Sequence, residues 1–473
     1  MSKKLLTAAI CLALPATAAA SSTQPTILQD DARTVNSTPD VREAALNEMQ
    51  TLGVDIVKIT IEWNKLAPAG SAKPAGFDGT LPAAYDQAAW DRYSAAIDGA
   101  QARGMRPFIS ISGPAPQWAS QRSNPPGVQR PNAAEFGRFA QAVGTKYPGV
   151  TMWSLWNEPN LPRFLLPQRV RKRPFSPHLY RTLLLAGEGG LRSSGHGSDT
   201  ILFGELLPVG RASKGSRSSI RPIEFLREMA CVDSKYKAYR GKAARSRGCS
   251  KFKKLPGTGL AYHPYTPAGG PGVNPPSEDD ATIGQLSRIT KALDRLKRRF
   301  KKSRMPLYLT EFGFQTDPPD RVQTPIKKAP GFMGESEYLA YKSSRVKTYS
   351  QYPLVDDFGS AGFQSGLKFA SGAAKPGVLA EFQHPIFVRL LASNKVEVFG
   401  GSRNGEPRQV QVEAKVGRSD FKPLGGPITL SSSGYFRKSF RLSAAGARQF
   451  RFSFDGGTSR ATKPSSRSSK HRR

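Results

Sequence analysis

The sequence predicts an α/β chain: a (β/α)8 TIM barrel followed by a small all-β sandwich-like domain. Three observations predict it. Short apolar runs alternate with helix-length amphipathic patterns across residues 21–383, the signature of parallel βαβ units. The eight runs found there match the strand count of one closed barrel with long loops. From residue 384 the helical pattern stops, and short alternating runs separated by Gly, Asn and Ser take over. At 473 residues, 38% hydrophobic and 22% charged, the chain is too apolar for disorder and too long for one average domain.

The elements follow in order. Residues 1–20 read as a signal peptide: Lys3-Lys4, an apolar stretch over 5–14, Pro15, then Ala18-Ala19-Ala20 before the expected cut. A secreted, extracellular protein is therefore expected. Strands are predicted at 26–29, 56–61, 106–112, 151–156, 201–207, 259–265, 307–312 and 355–363. Helices are predicted at 40–52, 90–103, 132–147, 176–194, 222–232, 283–301 and 335–351. Asn132 caps the third of these, with Phe136, Phe139 and Val143 on its apolar stripe. A doubly wound sheet is the competing architecture, but no Gly-rich phosphate turn follows the first strands. The sandwich-like module is assigned to 384–456 and a basic, disordered tail to 457–473. No apolar run is long enough to span a bilayer.

Of 3 cysteines, one lies in the leader, leaving Cys231 and Cys249. In an oxidising compartment two cysteines this close are expected to pair, closing a polar, basic loop. No C-x-x-C or H-E-x-x-H pattern offers a metal site, and no metal or cofactor is expected.

Chemistry concentrates at two strand ends. Thr151-Met-Trp-Ser-Leu-Trp-Asn157-Glu158-Pro159 runs from an apolar strand straight into an amide and a carboxylate. Leu307-Tyr-Leu-Thr310 ends likewise in Glu311-Phe312-Gly313. A carboxylate at the end of an apolar run is costly to desolvate, so it needs a partner or a task. Taken singly each could be a capping group. As a pair on the fourth and seventh strands they match the two carboxylates that glycoside hydrolysis requires.

On these motifs the sequence resembles clan A of the glycoside hydrolases, the retaining (β/α)8 enzymes, and is similar to the cellulase-like families 5 and 39. The resemblance covers residues 26–383. It implies that Glu158 is the acid/base, Glu311 the nucleophile and Asn157 a donor to the sugar 2-hydroxyl. His263-Pro-Tyr265 at the sixth strand's end would place Tyr265 against the nucleophile and His263 in the sugar pocket. His263 and Tyr265 point the same way along a strand, although a histidine satisfied beside a loop would look the same. Trp63, Trp118 and Trp156 are candidate stacking platforms for sugar C–H faces, or core residues. Two departures stand out. Lys58 occupies the second strand where the clan often has Arg, and cannot make the same forked hydrogen bonds. No Trp follows the eighth strand, where Phe358 or Phe363 is the available aromatic.

The net charge is +34, with clusters at 235–254 and 288–304. On the second, Leu286, Ile289, Leu293 and Leu296 form an inward stripe, so its cations form a solvated outer face. Such a face keeps a protein soluble, or adheres to an anionic cell-envelope polymer. No nucleic-acid-binding signature accompanies it, and a nucleic-acid partner is not expected. The expected function is a secreted retaining glycoside hydrolase acting on a β-linked poly- or oligosaccharide. The alternative is a non-catalytic polysaccharide- or envelope-binding protein on the same barrel.

Overall fold

The computed structural model describes residues 24–321, 323–358, 362–403, 408–443 and 448–465. The expected leader lies outside them, as does the chain beyond 465. Eight parallel strands form one sheet: β1 (Thr26–Gln29), β2 (Ile56–Glu62), β3 (Arg106–Ser112), β4 (Met152–Leu155), β5 (Thr200–Leu206), β6 (Gly259–Tyr262), β7 (Leu307–Leu309) and β8 (Tyr349–Gln351). Their order is β8-β1-β2-β3-β4-β5-β6-β7. The remaining seam is drawn together by a parallel bridge from Leu307 to Val346 and by Lys347 N–H donating to Leu307 O at 2.8 Å.

Alternation along these strands decides what goes where. Outward residues such as Val57, Ile59, Ile61, Ile109, Ile111, Leu155, Phe203 and Leu309 are buried under the helical ring. The helix Ala133–Lys146 shows how the ring is set: Asn132 Oδ1 accepts from Ala134 N–H at 2.9 Å and Glu135 N–H at 3.2 Å. That cap satisfies N–H groups that have no intrahelical partner. Phe136 and Phe139 then bury completely beneath it.

The eighth strand is a correction. It is Tyr349–Gln351, inside the stretch predicted as the last helix, while the described residues of 355–363 belong to no named strand. The helix itself is Ala329–Tyr341. Pro353 cannot continue a helix and biases its neighbour toward extended backbone. The strand's inward Ser350 is buried yet polar, so hydropathy does not mark it. The predicted helix over 283–301 is also interrupted: helix Leu286–Arg295 lies between 3-10 turns Ile283–Gln285 and Lys297–Arg299. Its apolar stripe is buried as expected.

The last described part is two antiparallel sheets. One joins β9 (Ile386–Ala392), β10 (Lys395–Gly401) and β14 (Tyr435–Arg441). The other joins β11 (Gln409–Val416), β12 (Lys422–Pro423), β13 (Ile428–Thr429), β15 (Arg448–Phe454) and β16 (Gly457–Thr458). Val388, Val398, Val412, Phe436, Phe450 and Phe452 fill the space between them, which makes a sandwich. It docks on the barrel through Tyr338, Tyr341, Phe399 and Tyr435 and a buried Arg403–Glu337 pair.

The tail assignment needs correcting at its start. β16 pairs with β15, Thr462 bridges Phe450, and Ser465 bridges Arg389. Pairing at a sheet edge uses backbone groups and needs few apolar side chains, so composition alone misreads 457–465 as unstructured.

Cys231 and Cys249 are joined by a disulfide. The closed loop contributes roughly 3 kcal/mol on the chain-entropy account. Arg295 lies over Tyr236 at 3.8 Å and Arg299 over Phe252 at 4.2 Å. The two basic runs therefore adjoin in one surface region.

Candidate active site

Inside the barrel an apolar floor is laid by Ile27, Ile56, Phe108, Met152, Leu202 and Ala261, with Tyr308 against them. One pleat toward the strands' C-terminal ends the inward residues turn polar. Lys58, Ser110, Ser154, His263, Thr310 and Ser350 are all buried there. This is the end of a (β/α)8 barrel where sites are built.

Glu205 reaches this layer by an irregularity. Strict alternation after inward Leu202 would send Glu205 outward beside Phe203. The β5–β6 register shifts between Gly204 and Leu206, and Glu205 takes φ 48°. Such a bulge re-aims a side chain. Glu205 then accepts from Ser154 Oγ at 2.6 Å, Thr310 Oγ1 at 2.7 Å and Lys58 Nζ at 3.0 Å, and also bonds His263 Nε2. Burial alone would raise its pKa, but Lys58 and His263 reverse this and hold the carboxyl well below the usual range. Lys58 Nζ also lies 3.7 Å from Glu311. Burial opposes the Lys58 charge, yet Glu205 and Glu311 raise its pKa above the ordinary lysine value.

The loop after β4 is bent by left-handed residues, Trp156 at φ 69° and Glu158 at φ 35°. Positions like these cost about 1–3 kcal/mol each and persist where surroundings hold them. Here Glu158 N–H donates to Glu205 O at 3.1 Å, and Asn160 Nδ2 donates to Leu207 O and Ile220 O. Glu158 Oε1 meets His263 Nδ1 at 2.9 Å, and Glu311 Oε2 lies 3.7 Å from the same nitrogen. Tyr265 Oη donates to Glu311 Oε1 at 2.8 Å. One carboxylate oxygen of Glu158, one of Glu311 and a nitrogen of His263 all lie within 4.8 Å of one another.

Burial raises the Glu158 pKa, and the His263 contact only partly offsets that. Burial would lower the imidazole, but Glu311, Glu158 and Glu205 together push it up to about 9. His263 is therefore an imidazolium at neutral pH, donating through both nitrogens. That state has no lone pair for a cation, so the three-residue cluster suits proton sharing better than metal binding.

A cavity of about 270 Å³ opens over the two carboxylates, and Asn157 lines it with them. His263 sits beneath, fully buried. Trp63 and Trp118 are not brought there. Trp63 opens the short helix Trp63–Leu66 after β2, and is fully buried, stacked on Phe139 at 5.7 Å. Trp118 packs edge-on against Trp63 and Phe77, its indole N–H donating to Pro68 O at 2.9 Å. Both belong to the packing between barrel and helices. Trp156 is core as well, with Phe136 against it. The cavity's aromatic lining comes from Tyr93, Phe164, Tyr352 and Phe363. Phe363, not the 83% exposed Phe358, is the aromatic after the eighth strand that reaches it.

Sequence reasoning missed Glu205 as a site residue. Its signal is a lone acid inside the apolar run Ile201-Leu-Phe-Gly-Glu205-Leu-Leu207, where Glu158 and Glu311 each follow such a run.

No family model matches the chain, and no curated protein does. Among solved structures the chain is similar to the GH5_18 protein of Streptomyces cattleya in complex with GlcNAc. That match has 15% identity and a TM-score of 0.48, over 77% of this chain and 80% of that one. It is also similar to a family 1 β-glucosidase of Thermotoga maritima, at 14% identity and a TM-score of 0.45, over 78% of this chain and 97% of that one. A third is an exo-β-1,4-mannosidase of Opitutaceae bacterium strain TAV5, at 15% identity and a TM-score of 0.44, over 78% of this chain and 60% of that one. Likeness at this level leaves the reading of the site to its own geometry.

Proposed function

We propose that the protein is a secreted retaining glycoside hydrolase that cleaves β-linked O-glycosidic bonds of a poly- or oligosaccharide. The observation that carries the reading is the spacing of the two carboxylates: oxygens of Glu158 and Glu311 within 4.8 Å, at a cavity over the strand ends. Retaining enzymes hold the pair about 5–5.5 Å apart, whereas an inverting site needs about 6.5–9.5 Å to admit the attacking water.

In this reading Glu311, bonded by Tyr265 and near Lys58, attacks the anomeric carbon as the glycosidic C–O bond breaks. Glu158 gives its proton to the leaving oxygen. Its Oε1 faces His263, which leaves Oε2 to carry that proton. Once Glu311 is esterified its negative charge is gone, the Glu158 pKa falls, and Glu158 acts as base toward water. Asn157 supplies an amide at the cavity wall for a ring hydroxyl. The basic surface regions are read as an adhesion face for an anionic envelope polymer.

NMR of the first-formed product tests the mechanism. A retained anomer is expected, and an inverted one would remove Glu311 as nucleophile. No turnover on any glycan or aryl glycoside would favour the binding-protein alternative.

A further inference from the structure

The cavity carries a charge opposite to that of the chain around it. Its charged lining is Asp31, Glu62, Glu158 and Glu311 against Arg163, in a protein with 70 Lys and Arg to 36 Asp and Glu. Two of those acids are the catalytic pair. The other two stand on the β1–β2 side, where neither has a task in bond cleavage.

That side is built from acceptors. Lys58, Thr60 and Glu62 share the inward face of β2. Deep in the barrel, the Lys58 ammonium is spent on Glu205 and Glu311. Above it, Thr60 Oγ1 accepts from Gln29 Nε2 at 3.0 Å, and the same nitrogen donates to Asp31 Oδ2 at 2.7 Å. An ionised carboxylate only accepts, so these bonds fix the Gln29 amide with its nitrogen toward Asp31 and Thr60. Its Oε1 is left over. Gln29 lines the cavity at 6% exposure, and that oxygen has no partner among the described residues. Nearer the mouth, the Glu62 carboxylate has no hydrogen-bond or ion-pair partner among the described residues. The exposed Lys65 and Arg163 act on it only through their charge.

An orphaned buried acceptor beside two carboxylates asks for a ligand rich in donors and positive in charge. A neutral hydroxyl would satisfy the amide oxygen but bring no charge to the carboxylates, of which Asp31 accepts from Gln29 and from Thr60 N–H at 3.1 Å and has no ion pair among the described residues. A uronic acid would add a third anion. An ammonium group offers three N–H donors and cancels charge. We propose that the Gln29–Asp31–Glu62 corner is a subsite for a sugar with a free amine, so that the glycan cleaved contains unacetylated hexosamine. The proposal rests on the glycosidase reading for its placement beside Glu311, but the subsite can be tested by binding alone.

The test is calorimetric titration of the intact protein near neutral pH with glucosamine, glucose and glucuronate. Turnover of their 4-nitrophenyl β-glycosides is measured in parallel. Glucosamine is expected to bind at least about tenfold more tightly than glucose, the scale of one hydrogen bond to a charged group, and glucuronate not to bind. Glu62→Gln and Asp31→Asn should each shrink that preference. Glucose binding as tightly as glucosamine, glucuronate binding, none of the three binding, or an unchanged preference in both variants would overturn the subsite. Glucosamine binding without turnover of any glycoside would count against the glycosidase reading while supporting the subsite.

Discussion

Replacing Glu205 with Gln tests the most connected group in the barrel. Four donors converge on its carboxylate: Ser154, Thr310, Lys58 and His263. Glutamine keeps the shape but turns an amide N–H2 toward some of those donors and deletes the anion. Among the described residues Lys58 then keeps Glu311 as its ion-pair partner, at 3.7 Å, and His263 retains Glu158 at 2.9 Å and Glu311 at 3.7 Å. Removing one partner of a buried ion pair costs about 3–5 kcal/mol. The pH dependence has a definite sign. In the folded protein His263 is raised to about 9, above its unfolded value of about 6.5. Its contribution is therefore fully present below about pH 6.5 and lost as pH rises through about 9, on the order of 3 kcal/mol in all. Without Glu205 the folded pKa falls, so the window narrows from its alkaline side. Urea midpoints measured across pH should show a lower plateau and an earlier alkaline decline in Glu205→Gln. The alkaline limb of kcat/KM should move to lower pH with it. Adding Lys58→Met should recover part of the loss, because much of the cost is the cation left unpaired. A variant within about 1 kcal/mol of the parent, with an unmoved alkaline limb, would refute this reasoning.

Four further outcomes are expected. Glu311→Ala should abolish turnover of every substrate, whereas Glu158→Ala should still be glycosylated by nitrophenyl glycosides and be accelerated by azide; equal loss in both would contradict the assigned roles. Trp63→Ala should cost about 3–5 kcal/mol in denaturation, while Phe363→Ala should raise KM with little change in stability; the reverse pattern would restore Trp63 to the site. Replacing Cys231 and Cys249 together by Ser should lower stability by roughly 3 kcal/mol and leave kcat/KM alone, and alkylation of unreduced wild-type protein should find neither thiol free. Truncation after Ser465 should weaken adsorption to an anionic polymer at low salt without changing turnover of a soluble substrate. That adsorption should fade as the Debye length shortens to about 8 Å near physiological strength.

Much of the fold was legible because a barrel strand is marked on its outward side. Ile59, Ile109, Leu155 and Phe203 must be apolar to pack under helices, and that requirement writes seven strands plainly. The eighth carries no such mark. Tyr349-Ser-Gln351 is short, polar inward, and preceded by a helix whose end nothing in the local pattern announces. Closing the seam rests on Leu307 meeting Val346 and Lys347, a long-range fact with no local signature. The same limit explains 457–465, where backbone pairing to β15 and β9 does what side chains do elsewhere.

The site was half legible for a related reason. Glu158 and Glu311 sit just past strand ends, where an acid after an apolar run stands out. Glu205 sits within its strand, and only a one-residue register shift turns it inward; read with strict alternation it would face the helices. Trp63 errs the other way, since an indole after β2 could face either the cavity or the ring, and the short helix Trp63–Leu66 turns it to the ring. Both outcomes come from backbone irregularities at the strand ends, which hydrophobic periodicity does not encode. The polar layer that Glu205 joins sits directly on an apolar floor, where its charges cannot be left to water. Lys58 and His263 bring two cations there against the one carboxylate of Glu205, and the carboxyl of Glu311 lies 3.7 Å from each of them. The acids that can be read from the motifs depend on an ion network that only the folded barrel assembles.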